Sequence, residues 1–113
     1  MPHRDWRLWV DDILDAAERI EGFTLGVTYE EFLASTKTQH AIAFNIMIIG
    51  EAAARMPQEI QARNAAIPWA DMRAMRNIIV HGYWELSLPI VWKTATEDIP
   101  LLLPALRDLL AEQ

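Results

Sequence analysis

TQHAIAFNIMIIGEAAARM, residues Thr38 to Met56, repeats its apolar side chains at helical spacing, and does so twice. At about 100° per residue, Ile42, Ile46, Ile49, Ala53 and Met56 fall on one line, while Phe44, Met47 and Ile48 fall on the opposite side. One buried face cannot satisfy such a helix. Either it is the central helix of a bundle, or its second face joins another copy of the chain.

The flanking segments are helical too. Trp6, Val10, Ile13, Ala17 and Ile20 line one side of an amino-terminal helix, with Asp11, Asp12, Asp15, Glu18 and Arg19 opposite and Gly22 as its expected stop. Thr28 and Glu31 have capping-box spacing and open a short helix through Phe32 and Leu33. Pro57 opens another to about Arg63, Pro68 and Trp69 begin the next, and Ser87 with Pro89 starts the last. There Leu88, Trp92, Ala95, Ile99, Leu102, Leu106 and Leu110 share a face. Pro100 and Pro104 project opposite, each expected to kink the helix at a local cost of about 3 kcal/mol. No strand pattern competes. The expected fold is all-α, an up-and-down bundle of four to five helices in a single domain over residues 1–113.

A chain of 113 residues can bury about 65% of its unfolded surface, enough for one core. The absence of cysteine removes disulfides, thiolate catalysis and cysteine-based metal sites. His3 and His40 lack partners at metal-ligand spacing, so neither a metal site nor a cofactor is expected. No run of about eighteen apolar residues and no secretory pattern occur, so the expectation is a soluble, cytoplasmic protein without a membrane segment. The net charge of −6 argues against a domain-wide phosphate-binding surface. Its distribution is uneven: carboxylates load the first segment, and Arg55, Arg63, Arg73 and Arg76 gather in the middle around only Glu59 and Asp71. Glu51 and Arg55, four apart, read as a modest ion pair or as charge bordering a cleft.

Within that basic middle lies MRNIIVHGYWEL, Met75 to Leu86. Arginine offers a planar cationic fork suited to phosphate, and histidine is the side chain that exchanges a proton near neutral pH. Together they suffice for metal-independent RNA cleavage, in which the RNA's own 2′-hydroxyl attacks phosphorus and the protein supplies proton transfer, charge and positioning. Geometry resists a simple site, because on a straight helix His81 points about 140° from Arg76, whereas Tyr83 lies only about 20° away. Either Gly82 ends the helix so that His81 and Tyr83 swing off its axis, or two subunits meet across a two-fold axis. Taken alone, the same three residues also serve as an ion-paired arginine, a helix-end histidine and a core tyrosine.

Arg76, four residues, His81, one residue and Tyr83 reproduce R-X4-H-X-Y, and the chain thereby resembles the HepT-like toxins, a branch of the HEPN superfamily of nucleotide-binding domains. DWRLWVDDILDAAERI, TYEEFL, IIGEAAARM, IPWADMRAMRN and PIVWKT agree in order, so the resemblance runs from about Asp5 to Leu110. It implies a HEPN-like helical homodimer and a metal-independent endoribonuclease, the toxin of a type VII-like toxin–antitoxin system, with the motifs of both subunits lining a cleft at the dimer interface. Carried over, Arg76 holds the scissile phosphate, His81 transfers protons and Asn77 orients the site. The implied partners are RNA and an MntA-like minimal nucleotidyltransferase antitoxin, in a dimer or a larger hetero-oligomer. That antitoxin neutralises such toxins by transferring AMP to the motif tyrosine, here Tyr83, and the added negative charge opposes RNA phosphate. Arg73 and Trp84 are candidate RNA contacts, with a surface charge and a packing role as their plainer alternatives. A second reading from another class is a non-catalytic helical partner that positions, or is modified by, a nucleotidyltransferase.

Overall fold

The computed structural model describes residues 4–112, so His3 lies outside the described residues. Asp5 caps α1 (Trp6–Thr24) by accepting a hydrogen bond from the Arg7 amide at 3.0 Å. Val10, Ile13, Ala17 and Ile20 are buried as the spacing predicts. The helix does not stop at Gly22. The Leu25 amide still bonds the Glu21 carbonyl at 2.9 Å, and the chain turns at Gly26, whose φ of 74° is the left-handed conformation that favours glycine.

The capping box opens α2 (Tyr29–Leu33): Glu31 N–H donates to Thr28 Oγ1 at 3.1 Å, and Thr28 N–H to Glu31 Oε1 at 2.9 Å. Phe32 behind it is fully buried, its ring centroid 4.9 Å from that of Trp92. Ser35 then caps α3 (Thr36–Arg55), which begins two residues before Thr38 and packs against both α1 and α5 (Trp69–Gly82). This is the central helix. Its first apolar line, Ile42 to Met56, is buried, whereas on the second line Met47 and Ile48 are half-buried and Phe44 is 57% exposed.

Short α4 (Gln58–Arg63) follows Pro57, and the Trp69 indole N–H anchors the start of α5 by donating to the Asn64 carbonyl at 3.1 Å. A single 3-10 turn, Tyr83–Glu85, leads to α6 (Leu88–Lys93), which continues through a π-helical turn, Thr94–Asp98, into α7 (Ile99–Ala111). That π-helical turn comes directly before the Ile99–Pro100 pair, where the sequence leads one to expect a kink. Ile99 N–H reaches back to the Thr94 carbonyl, one residue further than an α-helix allows, and the wider ring makes room for the proline that follows. Pro104 sits inside α7, where burial of Ile99, Leu103 and Leu106 keeps the helix on the core. Leu102 and Leu110, expected in that core, are half-buried beside buried Leu103 and Leu109. Every regular element among the described residues is helical, and none is long and apolar enough to cross a membrane.

Candidate active site

The site begins where α3 and α5 come closest. A Cβ on Gly50 would overlap Arg76 Cβ and lie 2.5 Å from the Met72 carbonyl oxygen, so only glycine lets the backbones meet there. The next residue uses that proximity. Glu51 Oε2 accepts from Arg76 Nε at 2.9 Å and pairs with Nη2 at 2.8 Å. Its Oε1 accepts from Arg55 Nη2 at 2.9 Å. Arg76 Nη1 donates to Asn77 Oδ1 at 2.7 Å. Two guanidinium N–H groups are hydrogen-bonded, at Nε and Nη1, and Nη2 is ion-paired, which leaves further N–H donors without a protein partner among the described residues.

One carboxylate thus holds two cations. The Arg55 hydrogen bond, reinforced by Arg76 and opposed by partial burial, keeps the Glu51 carboxyl below the usual carboxylate range. A carboxyl depressed by folding stabilises the fold above its unfolded pKa and loses that contribution as pH falls through its folded value. Glu51→Gln should therefore flatten the acid limb of the stability-against-pH curve measured by urea unfolding and leave its neutral region nearly parallel to wild type. Half-exposure of the group keeps the effect modest.

His81 occupies the last turn of α5 with its side chain exposed. Gly82 leaves helical dihedrals, at φ −153° and ψ 44°, and the chain tightens into the 3-10 turn. The break falls after His81. It redirects Tyr83 and Trp84, which stand 69% and 70% exposed with their rings edge to face at 5.5 Å, but it leaves His81 in helical phase with Arg76. The break at Gly82 therefore does not swing His81 toward Arg76, and it takes Tyr83 off the helical face it would otherwise share with that arginine. Arg73 is tied by Nη1 to Gln61 Oε1 at 2.9 Å, on the α4 side.

Arg76 also borders a cleft of about 790 Å³ walled by Arg4, Trp9, Glu51, Ala54, Arg55 and Pro57. His81 and Tyr83 are not among its walls. The spacing of residues gave no sign that α1 contributes to this region or that Glu51 holds Arg76. The available signal was GEAAA, residues 50–54: small side chains around one carboxylate, the composition of a close helix crossing.

Known proteins match most of the chain. The profile of the family described as Ribonuclease HepT-like covers residues 13–109. A Thermococcus cleftensis protein, whose name calls it a probable ribonuclease HepT, is 39% identical over 100 residues, 88% of each chain. A Methanocaldococcus jannaschii protein named as a candidate RNase is 32% identical over 88% of this chain and 83% of its own. Another candidate RNase, from Caldanaerobacter subterraneus subsp. tengcongensis, is 26% identical over 95% of this chain and 96% of its own. No solved structure gives a significant match. With that profile taking in the pinned arginine, its carboxylate and the exposed histidine, the chain belongs to the HepT-like ribonuclease family.

Proposed function

We propose that this protein is a metal-independent endoribonuclease, the toxin of a type VII-like toxin–antitoxin pair, working in the cytoplasm as a homodimer. The observation that carries the reading is the contrast within α5: Arg76 is oriented by Glu51 and Asn77 with donors to spare, and His81 stands exposed one and a half turns on. In the reaction the 2′-hydroxyl loses its proton as its oxygen attacks phosphorus, the bond to the 5′-oxygen breaks, and that oxygen takes up a proton. Arg76 neutralises the charge that builds on the phosphoryl oxygens, His81 handles protons and Asn77 steadies Arg76.

Helical phase supports the dimer. His81 stays about 140° from Arg76 of its own chain, so the pair converges on one phosphate when a second copy supplies one of the two groups. Exposed Phe44, Ile78 and Val80 offer apolar surface on the helices concerned. Tyr83, lifted off the helix and 69% exposed, is the acceptor of AMP from a minimal nucleotidyltransferase antitoxin. Its phenol gives up its proton to a base of the partner enzyme, the oxygen bonds to the α-phosphorus of ATP, pyrophosphate leaves, and the new anion repels RNA. Exposed Trp84 beside it, and Arg73, are further candidate RNA contacts.

The test is cleavage of single-stranded RNA in EDTA, with wild type active and Arg76→Ala inactive. Loss of all wild-type activity on chelation would remove metal independence. For the modification, partner enzyme and ATP should add one AMP mass to wild type and none to Tyr83→Phe; equal labelling of both would put the acceptor elsewhere.

A further inference from the structure

Trp9 and Arg76 line the same 790 Å³ cleft. The half-buried indole of Trp9 is covered by a guanidinium: Arg4 Cζ stands 4.2 Å from the ring centroid, held by Asp12 through bonds of 2.7 and 3.4 Å. Arg55 Cζ lies 5.7 Å from the same ring and, through Glu51, is joined to Arg76. The lining therefore sets three guanidinium groups and an indole around one carboxylate, in a chain whose net charge is −6. Its volume falls within the range of about 300–1,000 Å³ typical of small-molecule sites.

We propose that this cleft binds the RNA nucleotide next to the phosphate held by Arg76, with its base stacked on Trp9 and its own phosphate on Arg55. The proposal rests on RNA being the substrate. Arg4 occupies the position of a stacked base, since a planar guanidinium and a nucleobase use the same aromatic face, and it yields that place when the base enters. Glu51 is shared by the two phosphate-binding arginines and so sets their spacing along the strand. Stacking tolerates any base, so the cleft supplies affinity and register rather than sequence choice.

The test uses a labelled 2′-O-methyl oligoadenylate, which lacks the attacking hydroxyl and stays intact, beside an abasic backbone of equal length. Trp9→Leu should weaken binding of the oligoadenylate about tenfold and leave the abasic strand unchanged. Trp9→Phe, which keeps an aromatic face, should retain most of the affinity. Arg55→Gln should weaken both strands alike and reduce the salt dependence of each. Circular dichroism of every variant separates these effects from unfolding. If Trp9→Leu and Trp9→Phe shift both strands equally, or neither strand at all, the stacking site is overturned. Cleavage by wild type is scored separately: the predicted binding pattern without RNA cutting overturns the ribonuclease reading and leaves the cleft, while cutting without the pattern does the reverse.

Discussion

His81→Ala is expected to slow RNA cleavage by about a hundred- to ten-thousand-fold, the range over which a positioned proton-transfer group accelerates a reaction, while the fold is retained. The imidazole is exposed at the end of α5 and contributes nothing to the buried core, so its truncation leaves no cavity and no stranded partner. Arg76→Ala is less clean, because it strands Glu51 with Arg55 alone and disturbs the contact with α3. The measurement is single-turnover cleavage with thermal unfolding run in parallel. Unchanged cleavage by His81→Ala would take the histidine out of the mechanism, and a collapsed Tm would assign it a structural role instead.

Gly50→Ala should cost stability even though it replaces glycine with the best helix former. In an open helix that exchange gains about 1 kcal/mol. Here the added methyl meets Arg76 Cβ and the Met72 carbonyl, neither of which is the yielding end of a flexible side chain. The backbones of α3 and α5 must part, and overpacking of this kind costs about 1–3 kcal/mol, so against the gain in helix propensity the net change is a loss of up to about 2 kcal/mol. Separation also moves Arg76 away from its place on Glu51, and misplacement by about 1 Å can cost on the order of a hundredfold in rate. Urea unfolding should show a lower midpoint at unchanged m, with kcat falling more than KM rises. A higher midpoint would mean that the two helices do not meet at Gly50.

What the sequence disclosed of the fold was mostly local. Thr28 with Glu31, and Ser87 ahead of Pro89, announce helix starts because a cap needs only its neighbours within a few residues. Gly22 misled as a stop because nothing in composition distinguishes it from Gly26, the glycine whose φ is positive. Pro100 was accommodated by a π-helical turn because the apolar residues after it are held on the core, a tertiary influence that local propensity does not contain. The two apolar lines of α3 left its neighbours open, and its position between α1 and α5 resolves them with Phe44 still outward.

The site divides along the same boundary. Arg76, His81 and Tyr83 stand in one short motif and could be read directly. The carboxylate that orients Arg76 lies 25 residues earlier, and the cleft beyond it draws on Arg4 and Trp9 from α1 and the segment before it. Those pairings exist only once α1, α3 and α5 are packed, so residue spacing could indicate an ion pair between Glu51 and Arg55 and not its extension to Arg76.

The most direct measurement is the chemistry of the cut ends. An RNA oligonucleotide incubated with wild-type protein in EDTA, then resolved by mass spectrometry, should yield a 2′,3′-cyclic phosphate and a 5′-hydroxyl, as attack by the 2′-oxygen requires. Products bearing a 3′-hydroxyl and a 5′-phosphate, or no products without added metal, would contradict it.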